Sequence, residues 1–339
     1  MTVSRPSERA VRRLATASLV SQIGIVLTGG AVRLTASGLG CPTFPRCTED
    51  SFVTTAESGV HGAIEFGNRL LTFVLAAIAI ATLVAVLRSR PRRRDLVVPA
   101  VVLFLGIPAQ ALIGGITVLT QLNPWVVMLH FMASAVLIGV ATVLARRSRE
   151  PYVASARNVP VGSVWLRRLA GLVLLLGYVT VYLGTVVTGS GPHAGDPDSP
   201  RTGLDVESVS QLHADAVFLF LGLTIGIYLA AKALGSPGRV VVAAGRVLLV
   251  SVAQGVLGFV QYALAVPAPL VALHMLGASL LVAACADLFL STAERRPADA
   301  ADTAGSAQDS RIPASSATLL ASSGSNAPPT TTSEKPSGV

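Results

Sequence analysis

AQALIGGITVLTQLNPWVVMLHFMASAVLI (109–138) aligns without a gap on AQGVLGFVQYALAVPAPLVALHMLGASLLV (253–282). Gln110 matches Gln254, Gly114 matches Gly258 and His130 matches His274. The glutamine-to-histidine interval is the same in both copies, 130 − 110 = 20 and 274 − 254 = 20. Each stretch holds two apolar runs joined by a short proline-containing turn. A transmembrane helix needs about 20 mostly apolar residues to cross about 30 Å of hydrocarbon, so each stretch reads as a pair of spans. The motif T-x-S-G also recurs, at 35–38 and 188–191.

Working outward, eight spans are expected, near 14–33, 62–87, 96–119, 124–145, 168–188, 208–233, 240–262 and 268–291. The repeat divides them into two copies of a four-helix unit. Four spans separate the copies, so both have the same orientation and are related by an axis near the membrane normal. The expected fold is therefore an all-α integral membrane protein, with eight transmembrane helices in two pseudo-symmetric four-helix bundles. The basic flank of the first span does not make it a cleavable signal, because the span runs well past a short apolar region.

Composition agrees. Of 339 residues, 52% are hydrophobic and 13% charged, where a soluble domain carries about a quarter charged residues. Mean hydropathy is +0.65. The net charge of +8 falls in short clusters between apolar runs, and no soluble domain exists to offer a basic face, which excludes nucleic acid as a partner.

The clusters set the expected topology. Arg5, Arg9, Arg12 and Arg13 precede the first span; Arg88, Arg90, Arg92, Arg93 and Arg94 follow the second. Arg146, Arg147, Arg149, Arg157, Arg167 and Arg168 follow the fourth, Lys232, Arg239 and Arg246 flank the sixth-to-seventh turn, and Arg295 and Arg296 follow the eighth. The alternate loops hold few cations. Both termini are therefore expected in the cytoplasm, with loops 34–61 and 189–207 outside. The domains expected are a cytoplasmic segment 1–13, an N-terminal bundle 14–145, a cytoplasmic linker 146–167, a C-terminal bundle 168–291 and a tail 292–339. The tail is rich in Ala, Ser, Thr and Pro and too poor in bulky apolar residues to fold.

Ionisable residues in lipid are costly and mark function. His61, His130, His213 and His274 sit at or within the outer ends of even-numbered spans. His193, in a Gly/Pro/Asp-rich loop, reads as solvated. Neutral imidazole is an axial ligand for haem iron, and a porphyrin fits between helices with small inner residues. Gly277, Ala278 and Ser279 follow His274, and Ala214 and Ala216 follow His213. In HGAIEFGNRLL (61–71), spacings of four and three put His61, Glu65 and Asn68 on one helical face. Glu65 has a functional reading and a plainer one, a salt bridge to Arg69 one turn on. Asn68 aligns approximately with His213 (213 − 68 = 145, against 144 for the later segment).

Cys41 and Cys47 bracket CPTFPRC in the first loop. An oxidising exterior favours a disulfide there, and no further Cys or His pair completes a zinc site. Cys285, in an apolar run, reads as a small packing residue.

GGAVRLTASGLGCPTFPRC (29–47), IEFGNRL (64–70), the Q-x-x-x-G and P-x5-H pattern of 110–130 and QLHADAV (211–217) together resemble the haem A synthase family, over residues 12–291. The resemblance implies oxidation of a methyl group of haem O to a formyl group, giving haem A for terminal oxidases. It implies a C-terminal haem b ligated by His213 and His274, and a substrate haem in the N-terminal bundle on His130. Glu65 falls on the family's acidic position, implicated in activity, and Cys41 and Cys47 match the cysteine pair of many members. Many members have a histidine where this chain has Asn68, which leaves the second side of the substrate iron to His130 alone or to His130 with His61.

The implied partners are a haem O synthase that delivers substrate and a membrane electron donor such as a quinol; homo-oligomerisation is left open. The implied location is a bacterial plasma membrane. The competing readings are a b-type cytochrome that relays electrons without haem chemistry, and a transporter. The first has no need of Glu65 or a disulfide, and the second usually shows paired Gly/Pro breaks in mid-span, which this chain lacks.

Overall fold

The computed structural model describes residues 6–161 and 163–297. Eight long helices account for most of them: α1 Glu8–Leu34, α2 Gly59–Arg88, α3 Arg94–Leu119, α4 Pro124–Arg149, α5 Val164–Ser190, α6 Val206–Ala233, α7 Gly238–Ala263 and α8 Ala268–Ser291. A short 3₁₀ turn, Ala56–Ser58, leads into α2. All eight are long and apolar enough to cross a membrane. Their large apolar side chains, such as Phe73, Trp165 and Leu249, stand exposed on the outside of the molecule. In water such surface is a liability, and in lipid it is the solvated face.

Helix ends run further than hydropathy alone predicts. The first helix begins at Glu8 rather than near 14, because Ser7 caps it by accepting the Ala10 N–H and Glu8 pairs with Arg12 one turn on. Asn123 caps α4 with Pro124 in its first turn, and Asp205 caps α6 by accepting the Ser208 N–H. That bond holds the exposed Asp205 carboxyl below its ordinary range. Capping oxygens satisfy amides that no turn of helix precedes.

Helix contacts follow two closed circuits. In the first, α1 packs on α2, α2 on α3, α3 on α4 and α4 back on α1; α5 to α8 close in the same order. Helices α1, α4, α5 and α8 form the seam. Each circuit has its own buried core. Val11, Ala15, Val86, Leu96, Leu103 and Leu144 fill one, and Leu166, Val173, Phe220, Ile227, Val247 and Leu288 fill the other. Both cores lie toward the arginine-rich ends of the helices. Val26, Ile138, Val181 and Val282 close the seam. Interhelical polar contacts add to this: Ser18 and Thr82 share a hydrogen bond of 3.0 Å, the Tyr178 hydroxyl donates to the Ala135 carbonyl, and Asp287 binds both Arg146 and Arg246.

The repeat is also visible in the backbone. Gln121 and Leu122, after α3, have φ of 53° and 58°; Ala265 and Val266, after α7, have 56° and 59°. Two successive non-glycine residues in the left-handed region are uncommon, and a β-branched valine there is an outlier. In both copies the second of them donates its N–H to a carbonyl five residues back, Leu122 to Thr117 and Val266 to Gln261, at 2.7 Å each. The turn is the same object made twice.

The expected linker and tail differ from the structure at their edges. Ala156–Pro160 forms a strand, β1, paired with β2, Ala293–Pro297. The first residues of the expected tail are therefore ordered by a backbone ladder that composition does not announce. The remainder of that tail, 298–339, lies outside the described residues.

Candidate functional site

The functional side chains gather at the end of the helices opposite the arginine clusters, where the α1–α2 and α5–α6 loops lie. Those loops touch through the Gly38 N–H, which donates to the Gly195 carbonyl at 3.0 Å. Arg33, at the end of α1, ties them further by donating to the carbonyls of Thr188 and His193.

Of the imidazoles at this end, three each stand against a glycine of the preceding helix. A Cβ built on Gly114 of α3 would lie 3.3 Å from His130 Cε1. On Gly258 of α7 it would lie 3.6 Å from His274 Cε1, and on Gly184 of α5, 3.1 Å from His213 Cε1. An added Cβ would crowd His130 and His213 and touch His274, so these glycines let each imidazole pack close against the neighbouring helix. The fourth equivalent place is filled by Asn68 of α2, whose Nδ2 is 3.8 Å from a Cβ built on Gly29 of α1. Sequence spacing equates Asn68 with His213 only approximately; in each case the side chain lies against a glycine of the helix before it, Gly29 for Asn68 and Gly184 for His213.

The glutamines of the repeat sit beneath the histidines. Gln110 donates to the His130 carbonyl at 3.2 Å and to the Ser134 hydroxyl. Gln254 lies across Gly277 so closely that a Cβ there would collide with its amide. A side chain at 277 would therefore displace Gln254.

Each of these seats leaves a polar atom without a partner. Nδ1 of His130, of His213 and of His274, and Oδ1 of Asn68, are buried and make no hydrogen bond. The Thr180 carbonyl stands near His213 but outside hydrogen-bond geometry. A buried polar atom left unpaired costs about 1–3 kcal/mol. Three imidazoles in equivalent places with that cost unrelieved fit a ligand that orients them. Among the described residues no three His, Cys, Asp or Glu side chains converge as a metal cage. A porphyrin supplies four ligands of its own and asks for only one or two imidazoles. The residues present fit haem better than a bare ion.

Over the first circuit lies a disulfide loop. Cys41 and Cys47 are bonded. The Cys41 N–H donates to Glu65 Oε2 at 2.7 Å, and Arg69 donates to Glu65 Oε1 at 2.5 Å and to the carbonyls of Cys41, Thr43 and Arg46. Both readings of Glu65 thus meet one observation: it does pair with Arg69, and the pair is also the anchor of the loop. Glu65 is 6% exposed, which such a charge tolerates only with these donors around it. Between the cysteines, Phe44 lies against Gly115 of α3, beside the His130 seat. The loop therefore reaches from α2 across to α3.

One histidine stands elsewhere than expected, His193, while His61 lies at the outer end of α2. His61 is exposed at the start of α2, and its Nδ1 shares a hydrogen bond with the Ser37 hydroxyl at 2.9 Å. His193 is not solvated but half-buried, with Nε2 bonded to the Val266 carbonyl at 2.8 Å. The left-handed turn at 265–266 is what the ring meets there, a long-range contact that the loop's composition could not announce. Arg33 was legible only as a charge, and Gly184 was not singled out, although it lies four residues before the second T-x-S-G. Cys285 is buried and free, as expected of a packing residue.

Fold and site together define a class: multi-pass helical membrane proteins with an internal sequence repeat and imidazoles gathered at one end of the helices. A profile of the cytochrome oxidase assembly proteins named COX15-CtaA matches residues 12–195, more than half of the sequence, and the chain belongs to that family. Curated relatives called Heme A synthase are similar to it. The one from Geobacillus thermodenitrificans is 30% identical over 142 residues, 40% of this chain and 43% of the relative. Those from Exiguobacterium sibiricum and Lysinibacillus sphaericus are each 29% identical, over 168 and 194 residues, which are 48% and 57% of this chain and 54% and 62% of the relatives. The chain spans about half the length of the curated relatives it matches. The profile match ends before α6, so His213 and His274 lie beyond it and rest on the internal repeat and the glycine seats.

Proposed function

We propose that the protein is an enzyme, an oxidoreductase of the haem A synthase type, which converts the methyl group of haem O to the formyl group of haem A for terminal oxidase assembly. The observation that carries this reading is the set of three imidazoles on even-numbered helices, each set against a glycine, two of them in the circuit α5–α8. We read the two circuits as two pseudo-symmetric bundles, one for each haem.

His213 and His274 hold a resident haem b, kept in register by Gly184 and Gly258. When bound, that haem would supply one-electron redox chemistry. His130, on Gly114, holds the substrate haem. Glu65 keeps a carboxylate at the mouth of the same bundle, fixed by Arg69 and the Cys41 N–H. The disulfide loop with Phe44 covers that mouth and keeps water from it. The chain's part is to ligate, orient and shield; the hard chemistry belongs to the haem.

In a bacterial plasma membrane the loop end would face outward, and the arginine-rich end and both termini would face the cytoplasm. A haem O synthase supplies the substrate through the lipid, and a membrane donor such as a quinol supplies electrons. Pigment extraction tests the reading: cells that make haem O should accumulate haem A when they also make this chain. A preparation that is coloured by haem b while the cells accumulate no haem A would favour the electron-relaying cytochrome instead.

A further inference from the structure

The two circuits differ at one seat, and the difference is chemical. We propose that α1–α4 forms a single-imidazole haem site whose second axial face is open, lined by the amide of Asn68, and binds a small diatomic ligand there. The proposal rests on the reading that His130 holds a haem.

Three observations converge on it. First, the helix before α2 meets Asn68 at Gly29, where the helix before α6 meets His213 at Gly184, and α2 carries no buried imidazole at that depth. An amide is a poor ligand for haem iron, so the imidazole pair of α5–α8 has no counterpart here. Second, His61 cannot take its place from where it stands. It is seven residues before Asn68, about 10 Å further along the helix at 1.5 Å per residue. Its ring is engaged by Ser37, and Gly40 packs so tightly on the His61 backbone that a Cβ at 40 would collide with the His61 carbonyl. The helix is thus pinned with that imidazole at the mouth. Met275 offers a thioether near α1, but it lies against Gly30, on the side of α1 that meets α8. Third, Asn68 Oδ1 is buried without a partner. The amide oxygen and nitrogen exchange places by a flip about χ2, so the side chain can present either a donor or an acceptor to whatever enters.

An iron with two imidazoles is coordinatively full and excludes exogenous ligands, whereas one imidazole leaves a vacant face whose neighbours tune what binds. Asn68 would supply a hydrogen bond to the outer atom of the incoming molecule without competing for the metal.

Carbon monoxide is the probe. The full-length protein, purified in detergent and loaded with excess haem b as a stand-in for the substrate, is reduced and exposed to the gas. The expected result is a shift of the Soret band for one of two bound haems, the other remaining unresponsive. Asn68→His should abolish the responsive fraction and give a second low-spin, bis-imidazole spectrum. Asn68→Leu should keep carbon monoxide binding while raising the carbonyl stretching frequency, because the hydrogen bond is gone. His61→Ala should leave the carbon monoxide spectrum as it was. Wild-type haems that all ignore the gas, a responsive fraction that appears only in His61→Ala, or an unchanged response in Asn68→His would overturn the proposal. Haem stoichiometry separates this from the reading beneath it. If His130→Ala binds as much haem as wild type, His130 never held one, and both fall; if it loses one haem and the wild-type haem there is silent to the gas, only the open face falls.

Discussion

The circuit α5–α8 sets two imidazoles, His213 and His274, against Gly184 and Gly258; the circuit α1–α4 sets one, His130, against Gly114, with Asn68 against Gly29. Over α1–α4 the cystine loop is bound to Glu65 and Arg69, and Phe44 rests on Gly115. At the matching position of α7 the chain has Phe259, 61% exposed, and the loop beyond α5 is closed by hydroxyl and arginine contacts such as Ser190 with Thr202 and Arg201 with Gly191. One scaffold therefore carries two unlike mouths. Under the proposed function the difference has a purpose: a haem gripped on both sides stays, while a haem held on one side beneath a loop can arrive and depart.

The comparison breaks most easily at the imidazoles. His213→Ala or His274→Ala should remove the resident haem altogether, whereas His130→Ala should leave it in place; optical spectra of the three purified variants show which. If all three lost the same haem, the two circuits would not be separate sites. Next in size is Glu65→Gln, which should keep both haem contents and lower haem A formation by about 10²-fold or more, the scale of a positioned acid–base group. Full activity by pigment assay would reduce Glu65 to an anchor for the loop.

The glycine seats come third. Gly258→Val or Gly184→Val should weaken the resident haem by roughly 10-fold to 100-fold, as loss of an orienting contact does, and Gly114→Val should spare it; haem titration reads the three apart. Smallest is the disulfide. Cys47→Ser should cost about 2 kcal/mol by loop-closure entropy for so short a loop and lower the melting temperature, with the spectrum of the resident haem unchanged. A spectral change in that haem would mean the loop acts on both circuits.

Much of this was readable from residues alone, for physical reasons. Lipid forces every backbone amide into a helix or a barrel, so apolar run length locates α1 to α8. It does not locate their ends, since charged residues such as Glu8, Arg12 and Arg149 continue a helix past the hydrocarbon. The Gln–Gly–His pattern showed the repeat and two of the three imidazole seats, because α3–α4 and α7–α8 kept the same spacing. Gly184 escaped because its partner lies on α6, across a loop whose length differs from that of the first copy. His193 was read from its neighbours as solvated, yet it is held by the Val266 carbonyl some seventy residues away. Local composition carries no trace of such a bond. Glu65 offered a salt bridge and a functional carboxylate as alternatives; the structure shows the salt bridge, tied to the cystine loop.

Arg33 has a consequence for how the gene could be cut. The guanidinium at the end of α1 grips carbonyls at and beyond the end of α5, and the Gly38–Gly195 bond lies alongside. The halves are thus riveted at the face farthest from the peptide that joins α4 to α5. Two polypeptides made from separate messages, divided at that joint, would still carry their own fastening and should reassemble in the bilayer.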